Sequence, residues 1–273
     1  MAKILYGVQG DGSGHVNRAR IIAQELPQHE FFFIGGGPVQ GLAAEGYRVF
    51  NVPFMDTLYR NNSVDIYGTI SHAFKVLLRS RSVVKKVSAV IHQFDPDLII
   101  TDFELFTPRA ARKLNRFCVS LDHQHILTHG VYDLSRQQYL SGLMAKSVIR
   151  WFYSVPKYYL IVSFFPLPPR DKKKAEVFPA IIKRAAMEQS PTLGDHILVY
   201  QTSPTFKRIF PLLETSGHPC IIYGFGSRPP QGNLIFKAPS SKNFINDLAS
   251  CQYVLANGGH NVISEALYFG KPV

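Results

Sequence analysis

Short apolar runs alternate with longer amphipathic stretches along the whole chain, a pattern typical of β-α units and of a parallel sheet. Apolar runs predict one series of strands in the first half, at 3–8, 30–35, 48–52, 97–101, 117–120 and 158–163. A second series follows at 196–201, 219–223, 234–236 and 253–256. Helical spacing predicts helices at 16–26, 70–91, 205–215, 244–251 and 262–269. We therefore expect an α/β fold built from two successive sets of β-α units.

The segment 166–194 interrupts this alternation. It opens with three prolines within four residues, continues with three consecutive lysines and contains several turn residues. Such a composition is typical of a linker that includes some helix. We therefore expect an N-terminal domain over 1–165 and a C-terminal domain over 195–273, joined by this linker.

The 273-residue chain carries a formal net charge of +11, which favours an acidic partner. Nucleic acid, anionic lipid and a phosphorylated substrate all meet that requirement. The basic residues concentrate in 75–86 and 170–184, and neither cluster is interleaved with the aromatic residues on which single-stranded nucleic acids stack. Nucleic acid is therefore disfavoured as a partner.

Cysteine usage and the lengths of the apolar runs favour a cytoplasmic protein. Cys118, Cys220 and Cys251 are odd in number, far apart and part of no metal-binding motif, which disfavours a disulfide framework and a zinc site. The histidines between 123 and 129 also lack a clear metal-ligand spacing. The first apolar run is too short for a secretion signal, and no run approaches the ~18–20 apolar residues that span a bilayer. We expect neither a metal site nor an integral membrane segment.

The first loop with candidate chemistry is the glycine-rich stretch Gly10–His15, between the first strand and the first helix. Its glycines allow positive φ angles and the close approach of a ligand to backbone amides, and the helix N-terminus favours negative charge. The dinucleotide motif G-x-G-x-x-G is not met, because its third glycine would have to stand at His15, so NAD is disfavoured as a cofactor. The alternative is a tight turn without a ligand.

His15 is a candidate base. It begins the first helix at the sheet edge where open α/β folds place their ligands, and the positive helix end favours the neutral imidazole. Asp102 follows a predicted strand at the same edge and could orient the ring. Alternatively, Asp102 or Glu104 caps the next segment or pairs with Arg109.

The second candidate loop, Asn257–Asn261, also lies between a strand and a helix. Its two glycines and the helix N-terminus offer amides to a diphosphate, and Glu265 four residues later could accept hydrogen bonds from a ribose. Alternatively, the loop simply begins a helix whose Glu265 faces water. The loop 201–204 and the turn 224–227 follow neighbouring strands and are expected to face the same cleft.

Together these residues resemble the motifs of the GT-B glycosyltransferases, which include the UDP-GlcNAc transferase of peptidoglycan synthesis, the galactolipid synthases and the UDP-glucuronosyltransferases. The matching residues are Gly12–His15 and Arg18 in the first half, and Asn257–Asn261, Glu265 and Gly270–Pro272 in the second. The resemblance implies two Rossmann-like domains whose parallel sheets face a cleft. The family's second domain continues beyond the Gly-Lys-Pro element, so this domain is expected to be incomplete at its C-terminus.

The resemblance also implies roles for individual residues. His15 would deprotonate the acceptor hydroxyl, with Asp102 as its partner. The donor-binding residues would be Gly12, Gly14, Arg18, Ser203, Ser227, Phe244, Gly258, Gly259, His260, Asn261 and Glu265. Residues 258–261 would hold the diphosphate, Glu265 the ribose and Phe244 the uracil ring. The transfer would be inverting and metal-independent, with a UDP-sugar as the expected donor substrate and no cofactor.

The segment 137–153 carries an apolar stripe flanked by basic residues. It could dock on an anionic membrane as an interfacial helix and present a lipid acceptor, or, as is commoner for such stripes, pack in the core of the first domain. The sequence therefore predicts a cytoplasmic glycosyltransferase that transfers a sugar to a lipid or saccharide acceptor. Such a protein could also be peripheral on the inner face of the membrane. The alternatives are a sugar-nucleotide hydrolase or 2-epimerase on the same scaffold, and a non-catalytic nucleotide-sugar-binding protein.

Overall fold

The computed structural model describes residues 1–60, 63–202, 204, 206–238 and 241–273. The chain forms two compact units, the first from Met1–Leu58 and Val64–Pro179 and the second mainly from Ala180–Val273. Each unit has its own sheet and its own hydrophobic core.

The first part of the chain alternates strands and helices. Its strands are β1 (Lys3–Val8), β2 (Glu30–Ile34), β3 (Arg48–Phe50), β4 (Tyr59–Arg60), β5 (Ser63–Val64), β6 (Leu98–Asp102), β7 (Cys118–Asp122), β8 (Tyr158–Ser163) and β9 (Ala175–Pro179). Its helices are α1 (Gly14–Glu25), α2 (Ile66–Leu78), α3 (Ser80–Phe94), α4 (Thr107–Lys113), α5 (Ile126–His129) and α6 (Tyr139–Phe152). The short strands β4 and β5 pair with each other.

The other seven strands form a parallel sheet in the order β3-β2-β1-β6-β7-β8-β9. The strand order reverses between β1 and β6, so the chain leaves these two neighbours in opposite directions. In open α/β sheets, ligands bind outside the carboxyl ends of the strands at such a switch point. Val8 lies opposite Asp102 in the register, which brings the loop after β1 beside the end of β6.

Both faces of this sheet are covered, because successive side chains of a strand point to opposite sides. Tyr6 packs with Val16 of α1 on one face, whereas Leu5 and Ile99 pack with Ile91 of α3 on the other. Burial on both faces explains why the parallel strands appear in the sequence as continuous apolar runs.

The prediction of one helix over 70–91 is wrong in its extent. The structure has two helices there, α2 and α3, and the break between them falls at Arg79. Val87 and Ile91 of α3 are buried against the sheet, whereas Ile70 and Phe74 of α2 are exposed. Helical spacing reports which positions are apolar but not what they contact, so it did not separate the two helices.

The apolar stripe of 137–153 forms α6, and core packing does not explain it. Ile149 is the buried residue of this helix. Leu140, Met144 and Trp151 are exposed, and Trp151 keeps 81% of its surface accessible. Within the described residues, this face of α6 therefore lies open.

The segment expected as a linker contains a strand. β9 pairs in parallel with β8, with Ala175 opposite Tyr159, and Ala175 is buried. Backbone hydrogen bonds from Lys174 and Ala175 to the Asp171 carbonyl close the turn before it. Neighbouring prolines and lysines concealed the short apolar pattern of this strand. The first unit accordingly extends to Pro179.

The second unit is a smaller α/β unit. Its strands are β10 (Ile197–Tyr200), β11 (Cys220–Tyr223), β12 (Arg228–Gln231), β13 (Leu234–Lys237) and β14 (Tyr253–Ala256). Its helices are α7 (Arg184–Met187), α8 (Phe210–Glu214), α9 (Ser241–Ser250) and α10 (His260–Tyr268). The sheet order is β12-β13-β11-β10-β14, with β12 as an antiparallel edge and the other pairs parallel. The sequence analysis missed β12, an exposed edge strand that contains two prolines.

None of the described helices combines the length and the apolar composition that crossing a membrane requires.

Replacing Gly224 with alanine should destabilise the second unit. Gly224 has a φ of +102°, and an added Cβ would overlap the Gln201 carbonyl oxygen. We expect the free energy of unfolding to fall by about 2–5 kcal/mol, from left-handed backbone strain plus overpacking. Gly217→Ala is the matched control, because Gly217 has a φ of +72° but open space at its Cβ position, so we expect only the strain of about 1–2 kcal/mol. Urea denaturation followed by circular dichroism measures both losses, and equal losses would contradict the overlap.

Candidate active site

The loop after β1 is shaped by its glycines. A Cβ on Gly10 would lie 2.6 Å from the Phe54 ring and 2.8 Å from the Gly36 carbonyl oxygen, so the chain passes too closely for any larger residue. Gly12 has a φ of +69°, and no described atom lies within 4 Å of its Cβ position. α1 begins directly afterwards at Gly14. The loop therefore leaves open space for a ligand at Gly12, next to a helix N-terminus.

The structure brings His15 and Asp102 together. His15 Nδ1 lies 2.7 Å from Asp102 Oδ1, and His15 Nε2 lies 3.1 Å from the amide nitrogen of Gln124. Because that amide nitrogen can only donate, Nε2 carries the lone pair and Nδ1–H donates to Asp102. This is the tautomer that a base acting through Nε2 needs. The catalytic role of His15 itself stays a prediction.

Arg18 binds Asp102. Its Nε and Nη2 donate to Oδ2 and Oδ1 of Asp102 at 2.7 Å each, and its side chain is 3% exposed. The guanidinium is therefore buried and engaged with a carboxylate, and the donor-binding role that the sequence analysis gives Arg18 stays a prediction. Burial acts to raise the pKa of Asp102, but the charges and hydrogen bonds of Arg18 and His15 outweigh it and hold that pKa below its ordinary value.

Glu104 resolves the alternatives that the sequence left open for the two carboxylates. Its oxygens accept hydrogen bonds from the backbone N–H groups of Phe106 at 2.8 Å and Thr107 at 2.6 Å. Glu104 therefore caps the beginning of α4, and Asp102 is the partner of His15. Arg109 donates to the Leu105 carbonyl oxygen at 2.5 Å.

Phe103 lies between these two carboxylates in a strained conformation. Its φ is +56°, and a left-handed conformation costs a non-glycine residue on the order of 1–3 kcal/mol. The ring stacks on Tyr153 with the centroids 3.8 Å apart, and its centroid lies 6.5 Å from that of the His15 ring. The strain thus places an aromatic ring beside the histidine.

A cavity of about 560 Å³ opens beside His15. Its apolar wall is formed by α2 and α6 and consists of Ile70, Ala73, Phe74, Leu77, Val148 and Phe152. Its polar lining includes Gln9, Asp11, Asp56 and Gln124. Burial, followed by the Asp11 charge, raises the pKa of Asp56. The sequence analysis included Asp11 only as part of the Gly10–His15 loop and did not name the other three, because they come from separate loops that only the fold brings together.

The second candidate loop joins β14 to α10. Gly258 is exposed with a φ of +83°, and Gly259 is the residue before the helix begins. His260 and Asn261 are the first two residues of α10 and are half-buried. Asn257 donates from Nδ2 to Thr202 Oγ1 at 2.6 Å, which ties this loop to the one after β10. The structure thus places all four predicted diphosphate residues at one helix N-terminus.

Glu265 does not face water. It is buried, and its Oε1 lies 3.0 Å from Lys183 Nζ. Burial raises the pKa of Glu265, and the Lys183 charge opposes that shift. The alternative of a solvated helix carboxylate is therefore wrong, and the ribose role stays a prediction for a carboxylate already paired with a lysine.

The remaining predicted donor residues are Ser203, Ser227 and Phe244. Ser227 is exposed in the turn after β11, and Ser203 lies outside the described residues. Phe244 is 8% exposed and packs edge-on against Tyr200 and Tyr223. The side chain is part of the core between α9 and the sheet, and its expected contact with a uracil ring stays a prediction.

Comparisons with known proteins identify the family. The family model described as Glycosyl transferase family 1 matches residues 2–273. An uncharacterized glycosyltransferase of Methanosarcina mazei is 24% identical over 99% of this chain and 78% of its own length.

Two solved structures share the fold. Phytolacca americana UGT2, complexed with UDP-2fluoro-glucose and pterostilbene, aligns with a TM-score of 0.62 and 15% identity over 99% of this chain and 79% of that one. MurG of Acinetobacter baumannii aligns with a TM-score of 0.52 and 13% identity over 98% and 76%. The chain belongs to glycosyl transferase family 1 and is a glycosyltransferase with the α/β fold of the GT-B enzymes, as the sequence predicted.

Replacing Arg18 with methionine should destabilise the first unit strongly, because it leaves the Asp102 carboxylate buried without its cation. We expect the free energy of unfolding at neutral pH to fall by about 3–5 kcal/mol. Arg20→Met is the control on the same helix, since Arg20 pairs with Glu45 at the surface and such a pair contributes about 0–1 kcal/mol. Urea denaturation compares the two variants, and similar losses would contradict a special role for the buried pair.

Proposed function

We propose that this glycosyltransferase transfers a sugar from a UDP-sugar to the hydroxyl group of a lipid acceptor, with His15 as the base and inversion at the anomeric carbon. The observation that carries the proposal is the His15 tautomer, whose Nε2 lone pair lies at a cavity with a largely apolar wall. A solved neighbour of the same fold holds UDP-2fluoro-glucose.

His15 and Asp102 would act together in the proton transfer. The acceptor O–H bond breaks and its proton moves to Nε2, while the acceptor oxygen forms a bond to the anomeric carbon. The bond from that carbon to the diphosphate breaks, and UDP leaves with the electron pair. A single displacement of this kind inverts the carbon. The ionised Asp102 stabilises the imidazolium, and Arg18 keeps Asp102 ionised.

The donor would be held by the loop between β14 and α10. Backbone amides at Gly258 and Gly259 and the positive end of α10 supply fixed partial charges to the diphosphate. His260 and Asn261 add side-chain donors at the same helix end. This arrangement supports a metal-independent reaction without a cofactor, since the charge of the leaving diphosphate is met by the protein.

The cavity favours a lipid over a saccharide acceptor. Its wall presents Phe74, Leu77 and Phe152, which suit a hydrocarbon chain, and His15 lies in its polar part, where the reacting hydroxyl would be placed. The polar lining at Asp11 and Asp56 suits further hydroxyl groups of the acceptor.

An anionic membrane surface is the proposed source of this acceptor. The exposed apolar faces of α2 and α6 contain Tyr67, Ile70, Phe74, Leu78, Leu140, Met144 and Trp151. Exposed basic residues, among them Lys75, Arg79 and Arg150, lie on or next to the same helices. Apolar and basic residues in this combination are typical of interfacial helices. The three cysteines are free and buried, which is compatible with the cytoplasmic side of the membrane.

The alternative enzymes on this scaffold are less well supported. A 2-epimerase would need spare carboxylates. The two that the sequence suggested are engaged, Asp102 with Arg18 and Glu104 with α4, and the two that line the cavity, Asp11 and Asp56, are hydrogen-bonded to each other. A hydrolase would have no use for the large apolar wall beside His15.

Replacing His15 with asparagine tests the catalytic proposal. We expect the variant to bind UDP with unchanged Kd by calorimetry, while kcat for transfer falls by about 10²–10⁴-fold, because the general base is lost. His92→Asn, at an exposed position on α3, is the control and should keep the wild-type rate. Wild-type turnover in the His15 variant would end the assignment of the base. Binding of GDP or dTDP in place of UDP would correct the donor.

Membrane docking is tested with vesicles. The protein should co-sediment with vesicles of phosphatidylglycerol and phosphatidylcholine more strongly than with phosphatidylcholine alone, and less strongly at high salt. Met144→Glu should weaken binding by about tenfold or more, since a methionine side chain loses its burial in the interface. Leu212→Glu in the second unit is the control, because Leu212 is 69% exposed and Met144 71% exposed. Equal binding of both variants would refute docking through α6.

A further inference from the structure

We propose that Gln124 is a positioning residue for the transfer. Its amide donates a hydrogen bond to the lone pair of His15 Nε2 until an acceptor hydroxyl takes that place, and Gln124 then contacts the acceptor. The inference rests on the proposed function of His15. Gln124 follows β7, two residues beyond Asp122, and its side chain lines the cavity that contains His15.

The two ends of the Gln124 amide are in different situations. Its nitrogen lies 3.1 Å from His15 Nε2 and donates to it. Its Oε1 is buried and has no hydrogen-bond partner among the described residues. A buried amide oxygen is normally satisfied, so one without a partner on a residue that lines a cavity indicates a partner that enters the cavity. A hydroxyl group is the simplest such partner.

A buried side-chain network holds Gln124 in place. Asp122 accepts hydrogen bonds from Ser120 Oγ at 2.6 Å, from His125 Nδ1 at 2.6 Å and from the His125 backbone N–H at 2.9 Å. The Gln124 carbonyl oxygen accepts from Leu127 N at 3.1 Å. Asp122 and His125 are each 1% exposed. This pair does not take part in the proton transfer itself. Its hydrogen bonds fix the turn that carries Gln124.

The geometry of imidazole defines what Gln124 does. Nε2 has one lone pair in the ring plane, so it accepts either from Gln124 or from the acceptor hydroxyl, but not from both in good geometry. Without acceptor, Gln124 together with Asp102 keeps His15 in the tautomer with the proton on Nδ1. When the acceptor displaces it, the amide stays at the cavity lining, where Oε1 can receive a hydrogen bond from the acceptor.

Two variants of Gln124 test the proposal. Gln124→Leu removes both polar atoms at similar size, and we expect kcat/KM for the acceptor to fall by about tenfold, the effect of one hydrogen bond, with the Kd for UDP unchanged. Gln124→Glu keeps the shape but cannot donate to Nε2, and its carboxylate stabilises the protonated ring instead. We expect a larger loss near neutral pH that recovers as the pH is raised, while Asp102 and Arg18 on the other side of the ring are unchanged.

The matched control is Gln28→Leu. Gln28 also places its amide nitrogen near a histidine Nε2, that of His29 at 3.3 Å, but in an exposed turn at the other end of α1. This variant should keep wild-type kinetics. Thermal unfolding of each variant shows whether it is folded, and Gln124→Glu carries the test alone if Gln124→Leu does not fold.

Three results would overturn the inference. They are wild-type acceptor kinetics in both Gln124 variants, a loss in Gln124→Glu that is the same at every pH, and weakened UDP binding that accounts for the whole effect. These results are distinct from failure of the proposed function, which is shown by a His15→Asn variant that still turns over. If His15→Asn is inactive and the Gln124 variants are normal, the role of Gln124 alone is refuted.

Discussion

The buried hydrogen bonds between Arg18 and Asp102 are the interaction on which the site depends. A fully buried carboxylate is expensive unless cations and hydrogen bonds compensate it, and Arg18 supplies two donors in parallel while His15 supplies a third. Asp102 thereby stays ionised inside the protein and orients the His15 ring. The contact exists because β1 and β6 are neighbours at the switch point, so that the start of α1 meets the end of β6.

Next to this interaction, the turns after β6 and β7 are each fixed by a buried carboxylate. Glu104 caps α4 and thereby fixes the turn after β6, in which Phe103 is held in a strained conformation. Asp102 and the Phe103 ring lie beside His15 as a result. The buried pair of Asp122 and His125 fixes the turn after β7 in a similar way. Rigid turns at the carboxyl ends of adjacent strands are how a parallel sheet assembles chemistry from distant parts of a chain.

The apolar surface around the cavity is not explained by packing against the sheet. α3 uses its apolar residues to cover the sheet, whereas α2 and α6 leave most of theirs exposed beside the cavity wall. Exposed apolar area of this extent is unfavourable in water, and it is typical of surfaces that meet another apolar phase. In the second unit, the glycine loop before α10 offers backbone amides instead, which suits a diphosphate. The first unit therefore presents an apolar surface to its expected acceptor, and the second unit presents backbone amides to its expected donor.

Local patterns in the chain were sufficient for the α/β class, most strand positions and both glycine loops, because apolar periodicity and glycine-helix junctions involve residues adjacent in sequence. Local patterns did not predict contacts between residues that are far apart in sequence, because many other residues of the same type could have made the same contact. Gln124 and His15 are 109 positions apart, and no spacing rule joins them. Likewise, an arginine after a glycine loop can face a phosphate or a buried carboxylate, and a phenylalanine at helical spacing can contact a base or fill a core. Only the fold shows that the Arg18 guanidinium is buried against Asp102 and that the Phe244 ring is buried in the core, since burial is a property of the packed fold and not of a sequence pattern.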